Sequence, residues 1–159
     1  MEHLHPTYQI VEGIIPSSGN AARAGDWVNL RNAIDCYCVS NFSRAVAAAC
    51  KIEVERSSDY AGGTKSTMTE GRTVWATTLP YATALQVKTS SSASYTLPSA
   101  TGPGIVITRI DPSVLDSSRP FVRIYHGNMS QATNYSACIY YIRTRYAQDR
   151  PIIATTSST

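Results

Sequence analysis

Apolar and polar residues alternate with period two through much of this 159-residue chain, the pattern of a β-strand that buries one face. Cys50, Ile52 and Val54 alternate with Lys51, Glu53 and Glu55, and Leu85 to Thr89 alternates cleanly. Asp26-Trp27-Val28-Asn29-Leu30 turns Trp27 and Asn29 one way and Val28 and Leu30 the other. Ala33 to Ser40 reads as extended, with Cys36 and Cys38 on one face. Gly104 to Ile110 is mostly β-branched and is bounded by Gly and by Asp-Pro, which predicts a well-buried strand. Asp111 is placed to accept a backbone N–H at the start of the next turn, and Pro112 suits its first helical position. Thr73 to Ala76, Ala93 to Leu97, Phe121 to His126 and Ser136 to Tyr146 supply further strands.

The stretch Ala45 to Glu55 carries two conflicting signals. Its alanines favour a helix by intrinsic propensity. Its second half has period two, and periodicity reports burial whereas propensity yields to tertiary context, so a strand is expected. Breakers stand at Pro16 to Asn20, Ser57 to Thr64, Ser90 to Ser92, Pro98 to Pro103 and Asp116 to Pro120. Eight or nine short strands in a chain of single-domain length predict an all-β fold, a single-domain β-sandwich of jelly-roll type with extended terminal arms. Residues 1–18 read as an N-terminal arm that orders on a partner, or as an edge strand. Residues 19–146 form the sandwich and 147–159 a C-terminal tail.

Composition narrows the function. Charged residues make up 16% of the chain and the net charge is +3, so the dense basic stripe of a nucleic-acid binder is missing; the tightest basic cluster is Arg143 with Arg145. The first residues lack the basic start and apolar run of a secretory signal, and no stretch approaches the ~18 apolar residues of a membrane span. A soluble protein made in the cytoplasm is expected. Cys36, Cys38, Cys50 and Cys138 then read as buried free thiols.

Catalytic candidates are thin. Cys36-Tyr37-Cys38 is one residue short of a zinc knuckle, and Cys50 and Cys138 arrive singly. His3 and His5 lie near the terminus, and His126 precedes Gly127-Asn128 as a turn residue would. Glu53 and Glu55 share a face, as glycosidase carboxylates could, but Lys51 shares it too and a solvated charged face accounts for all three. Gly62-Gly63-Thr64-Lys65 lacks the spacer of a phosphate loop. Asn41-Phe42-Ser43, Asn128-Met129-Ser130 and Asn134-Tyr135-Ser136 fit the glycosylation pattern and read as turn-rich sequence. No catalytic residue, metal or cofactor is expected. Arg123, Arg143 and Arg145 with Tyr125, Tyr141 and Tyr146 suit a protein interface or a base-stacking face, and the low charge favours the interface. Tyr8, Ile10, Trp27, Ile152 and Ile153 complete the expected contact set.

From Asp26 to about Ala147 the sequence resembles head decoration, or cement, proteins of tailed bacteriophages. The resemblance is carried by Asp26-Trp27-Val28-Asn29-Leu30-Arg31-Asn32, by Asp59-Tyr60-Ala61-Gly62-Gly63-Thr64-Lys65 with Val74-Trp75-Ala76, and by Ala93-Ser94-Tyr95-Thr96. Ile110-Asp111-Pro112-Ser113-Val114-Leu115-Asp116 and Tyr141-Ile142-Arg143-Thr144-Arg145-Tyr146-Ala147 complete it. It implies a β-sandwich or jelly roll on the outside of an assembled head, bound to the major capsid protein and to copies of itself as a dimer or trimer, without membrane or direct nucleic-acid contact. The second expectation is a tail or receptor-binding module whose Trp27, Trp75 and tyrosines stack on host glycan.

Overall fold

The computed structural model describes residues 8–77, 94–144 and the backbone of 86–88. Ten strands among them pair antiparallel into one sheet: β1 (Tyr8–Ser18), β2 (Arg23–Ala24), β3 (Val28–Asn29), β4 (Ala33–Ser57), β5 (Ser66–Thr67), β6 (Arg72–Ala76), β7 (Gln86–Lys88), β8 (Ser94–Ile110), β9 (Phe121–His126) and β10 (Tyr135–Thr144). The main path runs β1-β10-β4-β8-β6-β7, and β9 lies beyond β10 on the same side of β4, carrying β2 and β3. The expected all-β class is therefore what the chain adopts. Its two layers come from one sheet bent back on itself.

The bend lies in β4, a single strand of 25 residues. Its first half pairs with β10 and its last residues with β9, and between them the register with β8 shifts twice, at Arg44/Ala48 and Ala48/Cys50. The period-two signal was the informative one: Ala45 to Glu55 is strand throughout. Asn41-Phe42-Ser43, expected in a turn, lies mid-strand. Pro98 to Pro103, expected to turn the chain, instead runs on inside β8. Both prolines sit where β8 pairs β4 but not β6, which takes up only Val106 to Ile110, so their missing N–H groups fall on an edge without a described neighbour. Gly102, at a φ of 93°, takes the left-handed conformation within this bend.

Two side chains close the bend. Arg44, buried at 4% exposure, donates from Nη1 to the carbonyls of Ala48 (3.2 Å) and Pro98 (2.6 Å), tying β4 to β8. Burial lowers its guanidinium pKa. Asn134, fully buried, accepts from the Val46 N–H (3.1 Å) and donates to its carbonyl (3.0 Å), so one carboxamide does what a strand residue would do in the gap between β9 and β10.

The inner faces meet in one core of Val11, Ile14, Val28, Leu30, Cys36, Cys38, Phe42, Ile52, Val54, Val122, Ile124, Cys138, Tyr140 and Ile142, among others. Tyr140 links the layers: its hydroxyl accepts from the Ile124 N–H (2.9 Å) and donates to the Asp26 carbonyl (3.2 Å). Gly13 and Gly25 make room for it, since a Cβ would come 2.8 Å from the ring at Gly13 and 2.5 Å from the hydroxyl at Gly25. The Asp111–Pro112 turn forms as expected, with the Asp111 carboxylate accepting from the Ser113 N–H (3.0 Å).

Of residues 1–18, expected as an arm or as an edge strand, Tyr8–Ser18 form strand β1 against β10. The strand expected to end at Tyr146 is described to Thr144.

Tyr140→Phe leaves the buried Ile124 N–H unpaired and should lower the unfolding free energy by about 1–3 kcal/mol. Gly25→Ala should be at least as damaging, and less so in the Tyr140→Phe background, because the atom it meets is then gone. Urea unfolding of the double-mutant cycle checks the coupling; additive effects would show that the hydroxyl and Gly25 do not compete for space.

Candidate functional site

Alternation in β1, β10, β4, β8 and β6 sends every second residue outward, and the registers align these residues in rows. Ile10, Tyr141, Tyr37, Arg109 and Thr73 form one row; Glu12, Ile139, Val39, Ile107 and Trp75 form the next. Ala137, Asn41 and Ile105 follow, with Tyr8, Arg143 and Asp35 beyond the first row. Apart from Ala137 and Asp35, which are buried, the row residues are half-buried or exposed, Ile10 at 66% and Ile105 at 39%. A shallow groove of about 180 Å³ opens beside them, lined by Ile10, Glu12, Ile14, Pro16, Ala137 and Ile139.

This face carries few charges. Arg143 donates from Nη2 to the Asp35 carboxylate at 2.7 Å, which neutralises one corner. Arg109 and Glu12 stand at row ends or near them. Broad, aromatic and weakly charged, the surface has the composition of a protein-interface core.

The outer face of the other layer is different. Arg123 donates to Glu55 at 2.6 Å and Lys51 pairs with Glu53 at 2.8 Å, so the carboxylates singled out as a possible catalytic pair are each held in an ion pair. Tyr125 is half-buried opposite Glu53. Trp27, expected as a contact residue, is buried at 6% exposure, its ring capped by the Arg123 guanidinium at 4.5 Å and approached by Gly62 of the loop after β4. That loop covers Trp27 because Gly62, at a φ of 78°, has no Cβ to hold it off. Sequence alternation could not reveal this cover.

The expected contact set is thus divided. Tyr8, Ile10, Tyr141 and Arg143 come together on the weakly charged face, whereas Arg123 and Tyr125 lie on the charged one and Trp27 is buried. Arg145, Tyr146, Ile152 and Ile153 lie outside the described residues. Tyr37, Val39, Ile107, Arg109 and Ile139 were missed. The signal for them was apolar character on both sides of a strand, as in Ile105-Val106-Ile107, expected to be well buried, and in Cys138-Ile139-Tyr140-Tyr141-Ile142, where Tyr141 alone was expected at the surface.

All four thiols are buried and unpaired by disulfides, as expected. Burial pushes Cys50 and Cys138 up to about 12 and Cys38 well above its ordinary value, which keeps them protonated and unreactive near neutrality. Cys36 and Cys38 do share the inner face. Among the described residues no group of three or more His, Cys, Asp and Glu could hold a metal ion, and no helix is long and apolar enough to cross a membrane. His126, expected as a turn residue, ends β9 with its side chain in the core. Asn134 of the third glycosylation-type triplet is fully buried.

Ile10→Lys combined with Ile105→Lys should change the unfolding free energy by no more than about 1 kcal/mol, because both side chains project into solvent. It should also weaken retention on a hydrophobic-interaction column; a loss of several kcal/mol in urea unfolding would instead assign these residues to the core. Compared with protein-family models, curated proteins and solved structures, the chain matches none, and the functional reading therefore rests on its own residues.

Proposed function

We propose that the chain is a non-catalytic structural protein of a bacteriophage virion, a decoration or cement protein that docks on the outer surface of the head and stabilises the shell against the pressure of packaged DNA. The observation that supports this most directly is the face built by Ile10, Tyr141, Tyr37, Ile139, Val39, Ile107 and Trp75, mounted on one continuous sheet. The Asp26–Ala147 resemblance supports the same reading.

The physics fits the task. A face of tyrosines and β-branched residues buries large area with little side-chain entropy to lose, since these side chains have few rotatable bonds. A decoration protein needs only moderate affinity at each site, because many copies act on one shell and the contributions sum. The partner is the major capsid protein, with further contacts to copies of the same chain through the termini. Thr144 ends β10 next to the register partners Arg143 and Tyr8, so both termini leave the described sheet at the same end of this face. The glycan-binding alternative has less to work with, since Trp27 is covered.

Tyr37→Lys together with Ile139→Lys should lower binding to purified DNA-filled heads at least tenfold, read by co-sedimentation, while Lys51→Ala on the opposite layer leaves it unchanged. Equal binding by all variants would reject this face as the contact. Absence of head binding by the unaltered protein, with signal on a glycan array, would replace the proposal with the receptor-binding reading.

A further inference from the structure

His126 is the most unusual group in the interior. Its side chain is 1% exposed, at the end of β9 where the two layers meet, and its ring lies 4.8 Å from that of Phe42 on β4. Nε2 lies 2.9 Å from the Ser40 hydroxyl, also on β4, and the Ser40 hydroxyl in turn meets the Cys138 thiol of β10. Nδ1 has no hydrogen-bond partner. Neutral imidazole tolerates this arrangement: with its proton on Nε2, donated to Ser40, only a lone pair is left unpaired. Imidazolium does not, because both nitrogens become donors and Nδ1–H would point into apolar surroundings with no acceptor.

The neighbouring charges make protonation worse. Arg23 of β2 is the register partner of His126, and its positive charge acts on the imidazole. On β4, Ile52 is the register partner, and the Cys50 thiol lies 3.5 Å from the carbonyl of Gly127 beside the histidine. Arg44, a buried cation, acts electrostatically on Cys50 and on Tyr95 of β8. On β10 the facing titratable group is the Cys138 thiol, which burial keeps neutral. The groups packed around the ring are thus cationic or neutral.

We propose that His126 is an acid-operated latch: it joins the end of β9 to the inner face of β4 only while uncharged, and taking up a second proton releases this corner of the sandwich. The depressed basicity agrees, burial first and Arg23 second holding the imidazole down to about 3 against an ordinary 6.5. The sign follows. Between about pH 6.5 and pH 3 the opened chain binds a proton that the closed one refuses, so acidification favours opening by up to tenfold in the open-to-closed ratio per pH unit. Above about pH 7 the contribution is constant. The latch is independent of what the outer face binds.

The test follows the pH dependence of urea unfolding from pH 7.5 to 4, read by tryptophan fluorescence, for the full chain and for His126→Phe, which keeps an aromatic ring but cannot be charged. The full chain should lose stability steeply below about pH 6.5, and the variant should show a markedly shallower loss, reporting only its carboxylates. The same pH dependence in both would overturn the proposal. Should His126→Phe fail to fold, His126→Gln takes its place, and NMR titration of the full chain decides independently. An imidazole signal still neutral at pH 5 in the folded protein supports the latch, whereas a folded protein with all three histidines titrating near 6.5 refutes it.

Discussion

The bend in β4 is the constraint on which everything else depends. At roughly 3.3 Å per residue a straight strand of this length would run about 80 Å, whereas a domain of this size has a radius of gyration near 15 Å. The strand must fold back, and a sheet can fold only by breaking its hydrogen-bond register. The two register shifts at Arg44, Ala48 and Cys50 leave backbone groups without ladder partners. The Arg44 guanidinium and the Asn134 carboxamide satisfy four of the polar groups concerned: the carbonyls of Ala48 and Pro98, and both groups of Val46. A buried cation with carbonyl partners is a costly device, tolerated because buried peptide groups left unpaired would cost more in total.

Inward parity survives the bend. Cys36, Cys38, Ser40, Phe42 and Arg44 face in before it, and Ala48, Cys50, Ile52 and Val54 face in after it. One strand therefore supplies both walls of the core. Its odd positions supply two outer faces of different chemistry: Tyr37, Val39 and Asn41 in the first half, Lys51, Glu53 and Glu55 in the second. The charged half is self-neutralised by Lys51–Glu53 and Arg123–Glu55, whereas the first half carries mainly apolar and aromatic side chains, with the Arg143–Asp35 pair at one corner.

The strands were legible because period two survives wherever one face is buried, as in Cys50 to Glu55. Continuity was not legible. Nothing local distinguishes Asn41-Phe42-Ser43 in mid-strand from the same residues in a turn, and Pro98 with Pro103 reads as a break unless the unpaired edge of β8 is known. The expected contact set was divided between faces for a similar reason. Tyr141 and Arg143 alternate visibly, but which strand lies beside which is a long-range fact, so Arg123 and Tyr125 could not be separated from them. Trp27 was misplaced because its cover, Gly62, is 35 positions away along the chain.

A flat, apolar sheet face invites aggregation when the sheet also presents an open edge, because edge pairing and face stacking then reinforce one another. Here the edge strand β1 is largely disarmed. From Gly13 onward its outward carbonyls are already occupied: Gly13 accepts from the Asp26 N–H at 3.0 Å, Ile15 from Arg23 Nη2 at 2.6 Å, and Ser17 from Arg23 Nη1 at 3.1 Å. Two register irregularities and Pro16 further spoil this stretch as a template for another strand. Edge addition is suppressed along most of β1 while the face beside it stays open. Pairing of another strand along β1 is thereby disfavoured relative to contact through the face, which is selected by shape and side-chain complementarity rather than by generic backbone pairing.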